Sequence, residues 1–342
     1  MATILVTGGA GYVGSHVIPG LQQRGHRVVV FDNFSRGHRA TVEQLGVSVE
    51  EGDLQDTQAL KQLFQRHAFA AILHFAALAY VGESAHIPDA YYRVNTAGTL
   101  NLVQQSMAAA AAQPPPLVFS SSCAVFGVPE VLPLVEDSPK RPISAYGRSK
   151  LAAEWILADM GRAYGLRSVV LRYFNAAGAD LDHGLGELHQ PETHLIPLAI
   201  SAARDRLPLQ LFGSDFDTPD GSAIRDFVHV RDLAEAHLLA LDHLLAGGGS
   251  DHFNLGSGSG LSVREVVRQV EDELGLEVPV QLAPRRPGDP PALVSDSAKA
   301  RDVLGWTPRY SDLQQVVADA AAWDLRQRQP SALFREPIHV GS

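Results

Sequence analysis

Thr3-Ile4-Leu5-Val6-Thr7-Gly8-Gly9-Ala10-Gly11-Tyr12-Val13-Gly14 stands at the start of the chain and decides its architecture. Residues 3–7 form a short β-branched run that reads as a strand, and it stops on glycines. Read from Gly9 the turn fits G-x-G-x-x-G, and read from Gly8 it fits G-x-x-G-x-x-G. Ser15 to Arg24 then reads as a helix. A glycine turn between a strand and a helix aims backbone N–H groups and the helix dipole at a point where a pyrophosphate can sit. A second strand, His26 to Phe31, ends on Asp32. An acidic residue about 20 positions into such a unit bonds the adenosine ribose hydroxyls and repels a 2′-phosphate. NAD is therefore expected over NADP, with Arg36 and Arg39 as the residues that would argue otherwise.

The same alternation continues outward. Val47 to Glu50 is a strand leading to Gly52-Asp53-Leu54, and Thr57 to Arg66 is a helix. Ala70 to Phe75 is a buried strand, a helical stretch runs from Ala90 to Ala112, and Leu117 to Ser120 and Ser168 to Arg172 are further strands. Strands and helices in turn describe an α/β fold with a doubly wound parallel sheet. Ligands in such sheets bind outside the carboxyl ends of the strands. Asp32, Asp53, Ala76-Ala77, Ser120-Ser121-Ser122 and Tyr173-Phe174-Asn175 all fall there.

A helix that follows one of these strand ends carries Tyr146 and Lys150, with Ser144 as its expected N-cap. Four residues apart, the two side chains share a face. Phenol titrates near pH 10, too high for a useful base, and a fixed ammonium nearby favours phenolate. Bringing the phenol to near 7 requires roughly 4 kcal/mol of differential stabilisation. Alone, the pair reads first as a half-buried aromatic beside a solvated charge, and only the rest of the sequence turns it toward chemistry.

Gly8-x-x-Gly11-x-x-Gly14, Ser122 and Tyr146-x-x-x-Lys150 together resemble the extended short-chain dehydrogenase/reductase family. Phe75-Ala76-Ala77, Val81-Gly82-Glu83-Ser84, Asn95-x-x-Gly98-Thr99, residues 120–127 and Arg172-Tyr173-Phe174-Asn175 narrow the likeness to its nucleotide-sugar 4-epimerases, from near residue 2 to about 310. Dehydratases of the superfamily carry Asp-Glu where this chain has Cys123-Ala124, which counts against dehydration.

The resemblance implies a Rossmann-type sheet with a smaller mixed α/β substrate-binding domain. Residues 1–175 would bind NAD and residues 176–342 mainly a UDP-sugar, with segments around 225–245 returning to the first domain. UDP-glucose and UDP-galactose are the implied substrates, interconverted by transient oxidation at C4 and rotation of the 4-keto sugar. Ser122, Tyr146 and Lys150 take the catalytic roles. Gly8, Gly11, Tyr12, Val13, Gly14, Asp32, Asn33, Asp53, Leu54, Phe75, Ala76, Ala77, Asn95, Ser120 and Tyr173, with Tyr146 and Lys150, line the cofactor. On the substrate side, Arg225 and Arg286 grip the diphosphate and Asp289 the ribose, and Phe212 packs near uracil. Asn175, His194, Leu195, Gln210, Leu211, Ser122 and Tyr146 complete the set, and Leu293 stands at the gate for N-acetylated sugars. Two departures qualify the likeness: Ala79 where some members have lysine, and His194-Leu195 for a frequent Asn-Leu pair. UDP-N-acetylhexosamine and UDP-pentose epimerisation, a nucleotide-sugar decarboxylase and a non-catalytic NAD sensor are the competing readings.

The remaining second half reads as follows. A Gly-, Asp- and His-rich loop, residues 178–192, precedes a helix opening at His194. Histidines 183, 189 and 194 match no common zinc spacing, so no metal is expected. Asp232 reads as the cap of a helix over 233–245. Gly256-Ser257-Gly258-Ser259-Gly260 has no acidic ribose partner and reads as a structural turn before a capping box, Ser262 to Glu265. A helix after about residue 309 ends near Arg328, with an irregular tail beyond.

Composition agrees with this picture. Apolar content of 45% and charged content of 19% suit a globular protein with a substantial core. A net charge of −10 argues against nucleic acid and anionic membranes as partners. The lone Cys123 fits a reducing cytosol, and neither a signal peptide nor a membrane-spanning run is expected. By resemblance the chain is expected to be a homodimer packed through the 90–112 and 144–164 helices.

Overall fold

The computed structural model describes residues 1–110, 113–286 and 289–328. Seven strands make one parallel sheet: β1 (Thr3–Thr7), β2 (Arg27–Asp32), β3 (Ser48–Glu51), β4 (Ala71–His74), β5 (Leu117–Ser122), β6 (Ser168–Tyr173) and, after three strands that pair elsewhere, β10 (Asp251–Leu255). Their spatial order is β10-β6-β5-β4-β1-β2-β3. The order reverses between β1 and β4, and this is the point where a crevice opens at the carboxyl ends of a doubly wound sheet. Strands β4 and β5 are buried along their whole length, as a parallel sheet covered on both faces requires.

The other strands that pair elsewhere are β7 (Asn175–Ala177), β8 (Leu209–Phe212), β9 (Ile224–His229), β11 (Gly260–Ser262), β12 (Val280–Ala283) and β13 (Ala292–Leu293). β9 pairs with β7, β11 and β13, and β8 pairs with β12. Around them a second core gathers Ile196, Ile200, Phe227, Val266, Val270 and Val316 from three helices and β9. The first core draws Leu233, Leu238 and Leu241 from the Val230–Leu245 helix, Phe253 from β10 and Trp306 beyond it. The chain therefore crosses back to the first core after β9.

Three expected boundaries shift for physical reasons. The first helix spans Tyr12–Gln23, because the last residues of the glycine motif are already helical with Gly11 as N-cap. The helix expected over 90–112 divides, in its described part, into a short Pro88–Tyr91 helix, a π-helical Tyr92–Ala97 segment and a Gly98–Ala109 helix, and its residues 111 and 112 lie outside the described residues. The π segment places Asn95 where its amide reaches the Leu78 backbone and Ser149 Oγ. Asp232 is not a cap: His229 Nδ1 accepts from Arg231 N, and Asp232 accepts from Arg309 N, Tyr310 N and Ser311 Oγ. The Leu313–Arg328 helix closes the described chain, and the tail expected beyond it lies outside the described residues. No helix among the described residues is long and apolar enough to cross a membrane.

Candidate active site

The crevice is built first from the glycine turn. Gly8 has φ +71°, and a Cβ there would lie 2.4 Å from Ala76 N at the end of β4. A Cβ on Gly14 would lie 2.3 Å from Gly8 O, so neither position admits a side chain. Gly11 caps the Tyr12–Gln23 helix without a side-chain hydrogen bond, which leaves the first-turn N–H groups of Tyr12 and Val13 for an anion. Tyr12's own hydroxyl is committed to the Gly178 carbonyl at 2.7 Å. Phe75 N and Ala76 N both donate to Thr7 O, which locks the β4 end, and Ala77 with it, against the turn.

Asp32 stands at the end of β2. It accepts from Ala10 N at 3.0 Å and Phe34 N at 2.8 Å, and keeps lone pairs for hydroxyl donors. Burial pushes its carboxyl up, against the three backbone N–H groups around it. Arg36 is paired with Glu83 and Arg39 with Glu51, so both guanidiniums have carboxylate partners. Asn33 bonds Asp53 at 2.7 Å at the β3 end, and Leu54 is buried under Gly98. This set fits a dinucleotide with free ribose hydroxyls. Asn95 has both amide hydrogens committed to Leu78 O and Ser149 Oγ, so its influence on a cofactor passes through the turn after β4.

The reactive group stands at the end of β5. Ser144 Oγ accepts from Gly147 N at 3.0 Å, the cap expected for the Ala145–Tyr164 helix. That helix sets Tyr146 and Lys150, both buried, against β5. Lys150 Nζ donates to the Ser120 carbonyl at 2.9 Å, and Ser120 Oγ is bonded to His237 at 2.9 Å. The His237 ring stacks 4.6 Å from Phe75 and 6.1 Å from Tyr173. Burial drives the Lys150 ammonium down to about 7, with Glu154 opposing. Burial also pushes the Tyr146 phenol well above its ordinary value, with Tyr173 adding to the rise and Ser122 opposing it. The expected lowering by Lys150 is therefore not met by the protein's own groups: the ammonium points at Ser120 O and desolvation dominates.

Across the crevice, Arg225 is paired with Asp289, and Arg286 lies 4.0 Å over the Phe212 ring. Burial lowers Arg286, Asp289 opposes, and Arg225 adds to the lowering, so the two cations share one field. Arg225 sits beside Leu293 through the β9–β13 pairing, and Leu293 packs on the cluster containing Cys123, Val125 and Phe126. Asn175 Nδ2 donates to Asp226 O at 2.9 Å. Leu195 opens the Leu195–Asp205 helix, whose N-cap His194 makes no side-chain cap bond. One expected contact is not brought to this group: Leu211 is buried on the opposite face of β8 from Phe212, whereas Gln210 lies on the Phe212 face and bonds Gln281.

Sequence reasoning missed the groups behind the site. Glu154 accepts from Ser121 Oγ at 2.6 Å and from Arg172 Nη2 at 2.7 Å, all buried. Its spacing of four from Lys150, and an arginine inside an otherwise apolar strand, were the available signals. Asp226 is fully buried and accepts from Ser257 N and Oγ, Gly258 N, and Ser295 N and Oγ. The second glycine run thus cradles an anion of the protein's own. Of the three loop histidines, His183 bonds Asp180, whereas His189 and His194 converge on Glu187.

Residues 4–256 match the model of the NAD dependent epimerase/dehydratase family. A curated relative, the UDP-glucose 4-epimerase of Rhizobium leguminosarum bv. trifolii, is 49% identical over 96% of this chain and 98% of its own. The crystal structure of the Brucella ovis UDP-glucose 4-epimerase in complex with NAD is 48% identical, with a TM-score of 0.89 over 94% of this chain and 98% of that one. That of the Stenotrophomonas maltophila UDP-glucose-4-epimerase, with bound NAD and formylated UDP-arabinopyranose, is 39% identical, with a TM-score of 0.90 over 96% and 99%.

Proposed function

Because this chain belongs to the NAD dependent epimerase/dehydratase family, we propose that it is an NAD-dependent UDP-glucose 4-epimerase, interconverting UDP-glucose and UDP-galactose. The observation that carries this reading is Ser122, Tyr146 and Lys150 gathered at one strand end, between a dinucleotide turn and the Arg225–Arg286 pair. A C–H bond beside a plain hydroxyl is not acidic, so inversion there proceeds through a ketone. The Gly8–Gly14 turn and Asp32 would hold NAD, which when bound would supply a reversible hydride acceptor for sugar C4. Tyr146 Oη takes the proton of the 4-hydroxyl and later gives it back. Ser122 holds the same hydroxyl and relays its proton. Lys150 places positive charge beneath the crevice. Since burial opposes phenolate, deprotonation of Tyr146 is tied to the arrival of positive charge in the crevice.

Between the two transfers the 4-keto sugar must turn over while its nucleotide stays fixed. Arg225 and Arg286 suit the fixed end, because guanidinium forks match diphosphate oxygens. On this reading Asp289, the partner of Arg225, takes the ribose hydroxyls, and Phe212 packs against the base. Leu293 bounds the hexose end, and Leu293→Ser is expected to raise turnover of UDP-N-acetylgalactosamine relative to UDP-galactose. The protein works in the cytosol as a homodimer, a reading supported by its buried unpaired Cys123 and by exposed Tyr92 and Trp155 on the two helices concerned. The test is turnover of purified protein with UDP-galactose, UDP-N-acetylgalactosamine and UDP-arabinose. Interconversion of the UDP-hexoses is expected, and rapid pentose interconversion without hexose turnover would overturn the assignment.

A further inference from the structure

The loop before the Leu195–Asp205 helix folds back over the dinucleotide turn. His38 Nε2 bonds Leu188 O at 2.6 Å, Trp323 Nε1 donates to Glu187 O at 2.8 Å, and His189 packs edge-on against Tyr12 and Tyr80. At its centre, Glu187 lies with a 5% exposed side chain between two imidazoles. His189 Nδ1 stands 2.7 Å from Glu187 Oε1, and His194 Nδ1 is against the same oxygen. Glu192 Oε1 is 3.9 Å from His189 Nδ1. One ligand atom from each of the four residues falls within 4.8 Å of the others.

We propose that Glu187, His189, Glu192 and His194 form a binding site for one divalent transition-metal ion of the zinc type. Three observations carry it. The donor set, two imidazole nitrogens and two carboxylate oxygens, is one that zinc-class ions take. Its charge is matched, because two carboxylates and two neutral imidazoles balance a dication and leave no net charge in a half-buried site. Finally, His189 Nδ1 is buried without a hydrogen-bond partner among the described residues. The carboxylate oxygen is near but misaligned for N–H donation, a defect that a metal with an in-plane nitrogen lone pair would remove. Metal–ligand distances of about 2.1 Å put tetrahedral donors about 3.4 Å apart, so the 2.7 Å pair must open by about 0.7 Å, the His194–Glu187 pair by more, and the widest pair, within 4.8 Å, must close by up to about 1.4 Å.

Without metal the His189 and His194 imidazoles hold protons against the Glu187 carboxylate. Burial works against the Glu187 carboxylate, yet the His194 and His189 imidazoles outweigh it and hold it down to about 2. Burial likewise opposes the His189 imidazolium, and Glu187 and Glu192 raise it to about 9. Metal must therefore displace protons from the cluster. The ion's role is structural: it pins the loop across the turn, and none of its donors is Ser122, Tyr146 or Lys150.

The experiment uses full-length protein with its NAD retained, freed of metal by a chelator and titrated with Co²⁺. A single equivalent is expected to produce the visible absorption of four-coordinate cobalt, and Zn²⁺ to abolish it. Glu187→Gln and His189→Gln are each expected to weaken binding by more than about 100-fold, beyond the loss of an outer-shell partner. Absence of the cobalt spectrum in wild type would overturn the proposal, whether or not the variants fold. A spectrum that either folded variant preserves at wild-type affinity would overturn it equally.

Discussion

Tyr146 and Lys150 are moved by burial in opposite directions, the phenol up and the ammonium down to about 7. Tyr146→Phe removes the one group able to take and return the proton, and kcat is expected to fall by about 10²–10⁴-fold. Near-wild-type turnover of that variant would rule out the proton path. Lys150 makes a second prediction. Its folded pKa lies below the ordinary 10.5, so the unfolded chain holds more protons between about pH 7 and 10.5, and this group's effect on stability improves as pH rises through that window. In dinucleotide-free protein, Lys150→Met is therefore expected to be more stable than wild type at pH 6, by roughly 1–3 kcal/mol after loss of the Ser120 hydrogen bond. That advantage should shrink toward pH 10. Denaturant midpoints at both pH values check it, and a pH-independent difference would contradict it.

At the scale of elements, caps and turns position the chemistry. The Ala145–Tyr164 helix starts where Ser144 caps it, and the Val263–Leu274 helix starts on the reciprocal Ser262–Glu265 box. Ser262 Oγ also meets Asp220. Ser262→Ala is expected to cost about 1–2 kcal/mol, read as a lowered denaturant midpoint at unchanged slope. Behind the catalytic helix, the Glu154–Arg172 pair joins it to β6 with both side chains buried. Glu154→Gln leaves Arg172 with an uncompensated charge and is expected to cost about 3–5 kcal/mol, measured by equilibrium unfolding.

For the whole molecule, the decisive feature is the return of the chain. The Val230–Leu245 helix and β10 belong to the first core although β9 belongs to the second sheet. The two halves are expected to unfold in a single calorimetric transition, and two resolved transitions would contradict that coupling. The alternation of strands and helices, the glycine turn and the acidic end of β2 were legible in the sequence, because parallel strands covered on both faces read as apolar runs and glycine turns are local. The Tyr146–Lys150 pair was legible too, since four residues on a helix fix a shared face. Only the tertiary structure decided that Lys150 bonds Ser120 O, that Asp226 fills the second glycine run, and that Glu187 lies between His189 and His194. Each of these depends on distant segments meeting in a desolvated interior, where burial rather than spacing sets partner and charge.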